Sequence, residues 1–334
     1  RRHGRRLELR QKQLQPRRAG QAPAGSTFKL FVYLAAFRAG MTPEDMIDDT
    51  PITTGSYRPA NHGGKYRGRI SLRQAFAASS NVAAVRLTQK VGVDNVIKVA
   101  RDLGVTAPLT EDLSLALGTS EIPLIELAEA YAAVAAGSYP VLAHGLPPEE
   151  RGWFERLMAR QRAFDDDELA MIRDLLSSAA NRGTGSAAAL RTSTFGKTGT
   201  TQDSRDAIFV GYAGGLVTAV WIGNDDNAPL PGGAAGGGVP ARIWRNFMSG
   251  AINEPVEDAP EETQDADLVN AIANITVETG IGNVGLGVDG EGMTVNVGPN
   301  QLRIPTDEPQ PLPPPDLAPP PVTRTQPEAE DGGP

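Results

Sequence analysis

Between Ser26 and Ala39 the chain carries Phe28, Leu30, Phe31, Val32, Tyr33 and Leu34 with scarcely a polar break. Apolar residues on every side of a 3.6-residue period predict a helix buried all round, not an amphipathic surface helix. Gly40 predicts its end. Further helical periods run over 71–78, 82–91, 95–103, 122–136 and 166–180. After Gly183-Thr184-Gly185 the period drops to 2: 192–201, 206–212 and 216–223 read as successive strands, the last two joined at Gly214-Gly215. Turns that short predict an antiparallel sheet. A glycine-rich loop over 232–238 leads to a final amphipathic helix over 240–248, with Ile243, Trp244 and Phe247 on one side. Helices segregated beside an antiparallel sheet, some of them packed on it, predict an α+β fold.

Three segments follow from the composition. Residues 1–21 are polar and basic, residues 22–251 hold the helix and strand patterns, and residues 252–334 are acidic and rich in Gly and Pro. Within the last segment, short alternating runs of β-branched residues predict a small hairpin over 274–304. The proline clusters beyond 305 predict disorder. Over 334 residues with 40% hydrophobic content, one sizeable core is expected.

The net charge of −8 is split between the ends. Residues 1–18 carry eight Arg or Lys against Glu8, and residues 254–334 carry sixteen Asp or Glu against Arg303 and Arg324, so the body is nearly neutral. A terminal basic run reads as a solvated tail, and no nucleic-acid partner is expected. The absence of cysteine excludes disulfides, thiolate metal sites and cysteine nucleophiles. His3, His62 and His144 lack any ligand spacing, so neither a metal nor another cofactor is expected.

Candidate chemistry gathers in three short motifs. Ser26-Thr27-Phe28-Lys29 sets a hydroxyl and an amine three residues apart at a helix start, on one face, amid apolar neighbours that would desolvate Lys29 and lower its pKa. The same residues also read as an N-cap and a solvated lysine. Ser79-Ser80-Asn81 lies between two helices, where Ser79 could relay a proton and Asn81 grip an amide; Ser80 or Asn81 also reads as the N-cap of the helix that follows. Lys197-Thr198-Gly199-Thr200, followed by Thr201, sits on a strand. A lysine and hydroxyls there would cradle an anion, and Gly199 would let a substrate backbone come close. An exposed strand edge would explain the lysine and threonines but not the glycine.

In that order, Ser-x-x-Lys, Ser-x-Asn and Lys-Thr-Gly resemble the penicillin-binding proteins and the related serine β-lactamases. The flanks Gly25-Ser26-Thr27-Phe28-Lys29, Leu115-Ala116-Leu117-Gly118-Thr119 and Gly196-Lys197-Thr198-Gly199-Thr200-Thr201 resemble the bifunctional, peptidoglycan-polymerising subgroup over about residues 22–250. The resemblance implies the β-lactamase/transpeptidase-like fold and a serine D-Ala-D-Ala transpeptidase or carboxypeptidase that cross-links stem peptides and is acylated by β-lactams. Ser26 would be the nucleophile and Lys29 the base, with Ser79, Asn81 and Lys197 catalytic beside them. Thr198, Gly199, Thr200 and Thr201 would bind substrate, and the N–H groups of Ser26 and Thr200 would form the oxyanion hole.

The expected partners are stem peptides, β-lactams and other cell-wall synthesis proteins, and the expected place is the periplasm or extracytoplasmic face of the inner membrane, any anchor lying outside this chain. Family members carry two sheet strands, a glycosyltransferase domain and a membrane helix ahead of the serine, where this chain has 25 residues. No polymerase activity is therefore expected, and the 216–223 strand is expected to keep an open edge. Two other readings share the motifs: a non-catalytic module that binds β-lactams or cell-wall peptides, and a serine β-lactamase, which would need a water-activating carboxylate that neither Glu121 nor Glu126 clearly supplies.

Overall fold

A computed structural model describes residues 21–143 and 161–254, apart from loop positions 54, 56, 202, 203, 225 and 231–233, and the backbone of four strands between 276 and 305. The expectations for residues 1–20 and for the chain beyond 305 lie outside these residues. The helices are α1 (Lys29–Arg38), α2 (Leu72–Ala77), α3 (Asn81–Val91), α4 (Val93–Asp102), α5 (Leu124–Ala136), α6 (Asp166–Arg182) and α7 (Val239–Ala251). Short strands β1 (Gln21–Pro23) and β4 (Glu121–Pro123) pair with each other, as do β2 (Met46–Asp49) with β3 (Gly68–Ser71) and β5 (Ser138–Tyr139) with β6 (Arg162–Ala163). The main sheet is antiparallel, in the order β7 (Phe195–Thr200), β8 (Asp206–Ala213), β9 (Leu216–Gly223).

Helix α1 is buried from Lys29 to Phe37, as its unbroken apolar run requires. Around it pack α3, α4 and α6, and the rings of Tyr33 and Phe76 meet edge-on at 4.9 Å. Every residue of the central strand β8 is buried, because both faces of the sheet are covered. Ile208, Val210 and Tyr212 face the main core with α5 and α6, while Phe209 and Ala213 face Trp244 and Met248 of α7. Trp244 meets the Phe209 ring at 5.2 Å, and its indole N–H donates to the Thr218 carbonyl at 3.1 Å. Strand β9 pairs only with β8 among the described residues.

The region read as a hairpin holds four strands, β10 (Thr276–Thr279), β11 (Gly282–Asp289), β12 (Gly292–Val297) and β13 (Asn300–Pro305), in an antiparallel meander. They belong to a unit separate from residues 1–269. Among the described residues no helix is long and apolar enough to cross a membrane.

The α7 layer rests on one large side chain. Trp244→Ala is expected to destabilise the protein by about 3–5 kcal/mol, read as a lowered denaturant midpoint.

Candidate active site

Ser26 stands in a single 3-10 turn, Gly25–Phe28, that runs into α1. Side chains three apart eclipse in such a turn, which puts Ser26 and Lys29 on one side. The N-cap position falls on Ala24, so the capping alternative for Ser26 does not hold. The turn is clamped from behind by the Leu115–Thr119 segment: Gly25 N–H donates to the Gly118 carbonyl at 3.0 Å, and Ala24 N–H to that of Ser120 at 3.2 Å. Gly25 has φ +54 and Gly118 φ +68. A Cβ on Gly118 would stand 2.1 Å from the Gly25 carbonyl oxygen, so only glycine permits this approach.

Lys29 and Lys197 are both fully buried, and both reach Ser79. Lys29 Nζ donates to the Ser79 carbonyl at 2.7 Å and to Asn81 Oδ1 at 2.8 Å, and it lies 3.3 Å from Ser79 Oγ. Lys197 Nζ lies 2.9 Å from the same Oγ. Burial depresses both amines. Lys29 is held well below the usual lysine range by desolvation first and by the charge of Lys197 second, against the opposing pull of Asp49. Desolvation lowers Lys197 to about 7. Two ammonium groups cannot share one buried hydroxyl cheaply, so near neutrality at least one amine carries a lone pair.

Ser79 adopts φ +54, which turns its side chain out of the helix path toward the lysines. The cap of α3 is Ser80, whose Oγ accepts from Ala83 N–H at 3.0 Å. The capping reading of the motif therefore falls on Ser80, which leaves the Ser79 hydroxyl to the two lysines. The amide of Asn81 is engaged at both ends, accepting from Lys29 and donating to the Ala60 carbonyl at 2.9 Å.

On β7 the ladder decides which groups face the site. Thr201 N–H bonds the Asp206 carbonyl. By alternation, the N–H and C=O groups of Thr198 and Thr200, on either side of Gly199, point away from β8, toward the free edge. A Cβ on Gly25 would lie 3.3 Å from Thr200 N, so the Thr200 amide faces the serine turn. The side chains of Thr198 and Thr200 are already engaged, Thr198 Oγ1 with Thr184 Oγ1 at 2.6 Å and Thr200 Oγ1 with Gly236 N–H at 3.1 Å.

Two expectations require correction. The space beside Gly199 is filled by this chain, since a Cβ there would meet the Ala24 carbonyl and Thr27 Cγ2 at 3.0 Å; the glycine admits the serine turn, not a substrate backbone. Thr201 turns back into its own hairpin, its Oγ1 accepting from Asp206 N–H at 2.8 Å. Glu126 offers no free base, because its carboxylate accepts from Thr106 N–H, Thr106 Oγ1 and Ala107 N–H.

Three polar residues that no motif marks hold the site together. Asp49 is fully buried at the end of β2. It accepts from Asn61 Nδ2 and Ser80 Oγ, each at 2.6 Å, and from Arg67 N–H at 3.1 Å. Asn61 Oδ1 in turn accepts from the N–H groups of Asn81 and Val82. Thr184 is the third, through Thr198. Asp49 and Asn61 sit in a loop-and-hairpin segment with no periodic pattern, and only the pairing of β2 with β3 brings them beneath the motif.

The family description "Penicillin binding protein transpeptidase domain" matches residues 5–249. The chain belongs to that family. Penicillin-binding protein 1A of Neisseria cinerea is 36% identical over 256 residues, which cover 70% of this chain and 32% of that protein. The chain thus spans about a third of the length of the curated relatives it matches. Penicillin-binding protein 1A from Haemophilus influenzae shares the fold, with a TM-score of 0.59 at 23% identity over 77% of this chain and 45% of that one. The PonA1 protein from Mycobacterium tuberculosis, solved in complex with penicillin V, has a TM-score of 0.56 at 25% identity over 73% of each chain. The α+β architecture is that of the penicillin-binding transpeptidases, with a β-lactamase-like fold.

Asp49→Asn exchanges a carboxylate that receives three donors for an amide that must turn its own N–H₂ toward one of them. A loss of about 1–3 kcal/mol is expected, measured by chemical denaturation.

Proposed function

We propose that this chain is a peptidoglycan DD-transpeptidase working through a serine acyl-enzyme. The convergence of Lys29 and Lys197 on Ser79, beside a serine turn faced by the Thr200 amide, carries the reading. The lone pair of neutral Lys29 takes the Ser26 proton, and Ser26 Oγ attacks the penultimate D-alanine carbonyl of a stem peptide. The N–H groups of Ser26 and Thr200 receive the oxyanion. Ser79, in contact with both amines, passes a proton to the departing D-alanine. Lys197 and the Thr198 and Thr200 hydroxyls hold the substrate's terminal carboxylate, and that anion draws Lys197 toward its charged form. An amine of a second strand then completes the cross-link.

A β-lactam presents the same amide in a strained ring and acylates the same serine. The solved relative carrying penicillin V supports β-lactam binding here. We assign the catalytic unit to residues 22–251 and its place to the extracytoplasmic face of the membrane, where stem peptides and other cell-wall synthesis proteins are met.

Incubation with a fluorescent penicillin is expected to add one covalent label at Ser26, seen by mass, and none in Ser26→Ala. Label on the alanine variant, or none on a folded wild type, would refute the assignment. Both lysines have depressed pKa values, so their neutral forms are lost as the pH falls. Acylation measured from about pH 9 down to about pH 5 is expected to fall as Lys29, held well below the ordinary lysine range by burial, takes up its proton and loses the lone pair that serves as base.

A further inference from the structure

Beside the catalytic centre runs an open groove of about 490 Å³, a volume suited to a small ligand. Arg67 and Arg182 flank it, Gln74, Ala77, Ala78 and Thr184 line it, and among the described residues no acidic one does. Its floor is closed by Thr184 N–H donating to the Ala77 carbonyl at 3.2 Å. Ala78 in its wall is followed in the chain by Ser79, which receives both lysines. The other wall passes from Thr184 to Thr198 through their 2.6 Å contact. The groove therefore adjoins Ser79 and Thr198 of the candidate site.

Two other arginines are paired with carboxylates. Arg73 bonds Glu44 and Asp174, and Arg38 bonds Asp102 and Glu168. The guanidinium groups of Arg67 and Arg182 have no carboxylate partner among the described residues. Arg182 ends α6, where a cation suits the helix dipole, and Arg67 leads into β3, so each alone would pass for a surface charge. Together they make a groove with two unpaired, fork-shaped donors and no negative counterpart, a combination fitted to a carboxylate.

We propose that this groove is the acceptor subsite and that Arg67 and Arg182 bind a carboxylate of the incoming amine component distal to its reacting nitrogen. The inference rests on the transpeptidase reading. It deepens that reading by naming the acceptor as an acidic amino acid or peptide. In the transfer, the ester C–O bond to Ser26 breaks, the acceptor's C–N bond forms, and a proton leaves the nitrogen for Ser26 Oγ by way of Lys29. The arginines take no part in these bonds; they set which amine is held long enough to react.

The test is competition for one acyl-enzyme. The full chain is acylated with a thioester donor, and the acyl-enzyme is recorded by mass. It is then divided between D-glutamate and D-glutamine, two acceptors of equal shape that differ only in the distal charge. The wild type is expected to transfer preferentially to D-glutamate. Arg67→Gln and Arg182→Gln are each expected to reduce that preference roughly two- to fivefold, the scale of one exposed charge contact. Arg67→Lys and Arg182→Lys are expected to keep most of it. Because the ratio is taken within one acyl-enzyme, the speed of acylation does not enter. An acyl-enzyme that uses both acceptors equally, or a preference that survives in the Gln variants, would overturn the subsite while leaving the transpeptidase reading standing. A wild type that never acylates would sink both.

Discussion

Two lysine side chains brought from α1 and β7 to one serine hydroxyl set the terms for the rest of this structure. An ammonium taken out of water without a counter-ion is expensive, and two facing each other are worse. The surroundings ease the conflict chemically by loosening both amines' hold on their protons, with Lys197 lowered to about 7 and Lys29 well below its ordinary value. Desolvation here converts an ordinary surface cation into a base. That requires a rigid, water-excluding shell, and α1 with its all-round apolar surface supplies it.

The second constraint is backbone proximity. The serine turn, the Leu115–Thr119 segment and strand β7 approach each other so closely that Gly118 has no room for a Cβ and Gly25 and Gly199 have little. These contacts bring the Ser26 turn against the outer edge of β7, whose amides are not spent on a neighbouring strand. In the proposed mechanism the oxyanion site would come from ladder alternation, with no dedicated side chain. The sheet is held from behind by Trp244 and from the front by α5 and α6, so the edge has little freedom to drift.

Asp49 shows how a buried charge can serve order. Among the described residues no lysine or arginine side chain bonds it; its donors are an amide, a hydroxyl and a backbone N–H. Through Asn61 and Ser80 it fixes the start of α3, which in turn places Asn81 and Ser79 against Lys29. Its negative charge also opposes the pull that desolvation exerts on that lysine.

Local pattern carried the α+β class, the long helices and the three antiparallel strands, and it marked Ser26, Lys29, Ser79, Asn81, Lys197, Thr198 and Thr200 as motif positions. Each of these depends on spacing within a few residues, and the period of side chains along a helix or strand makes such spacing readable. Tertiary structure decided the rest. Asp49, Asn61 and Thr184 act through partners between 12 and 31 residues away, and no short-range signal marks them. Gly199 and Thr201 look like ligand-binding members of their motif, but the direction each faces is set by strand pairing and by the serine turn packed against β7. Which lysine is charged depends on burial and on the other lysine, quantities that exist only once segments distant in sequence have been packed together.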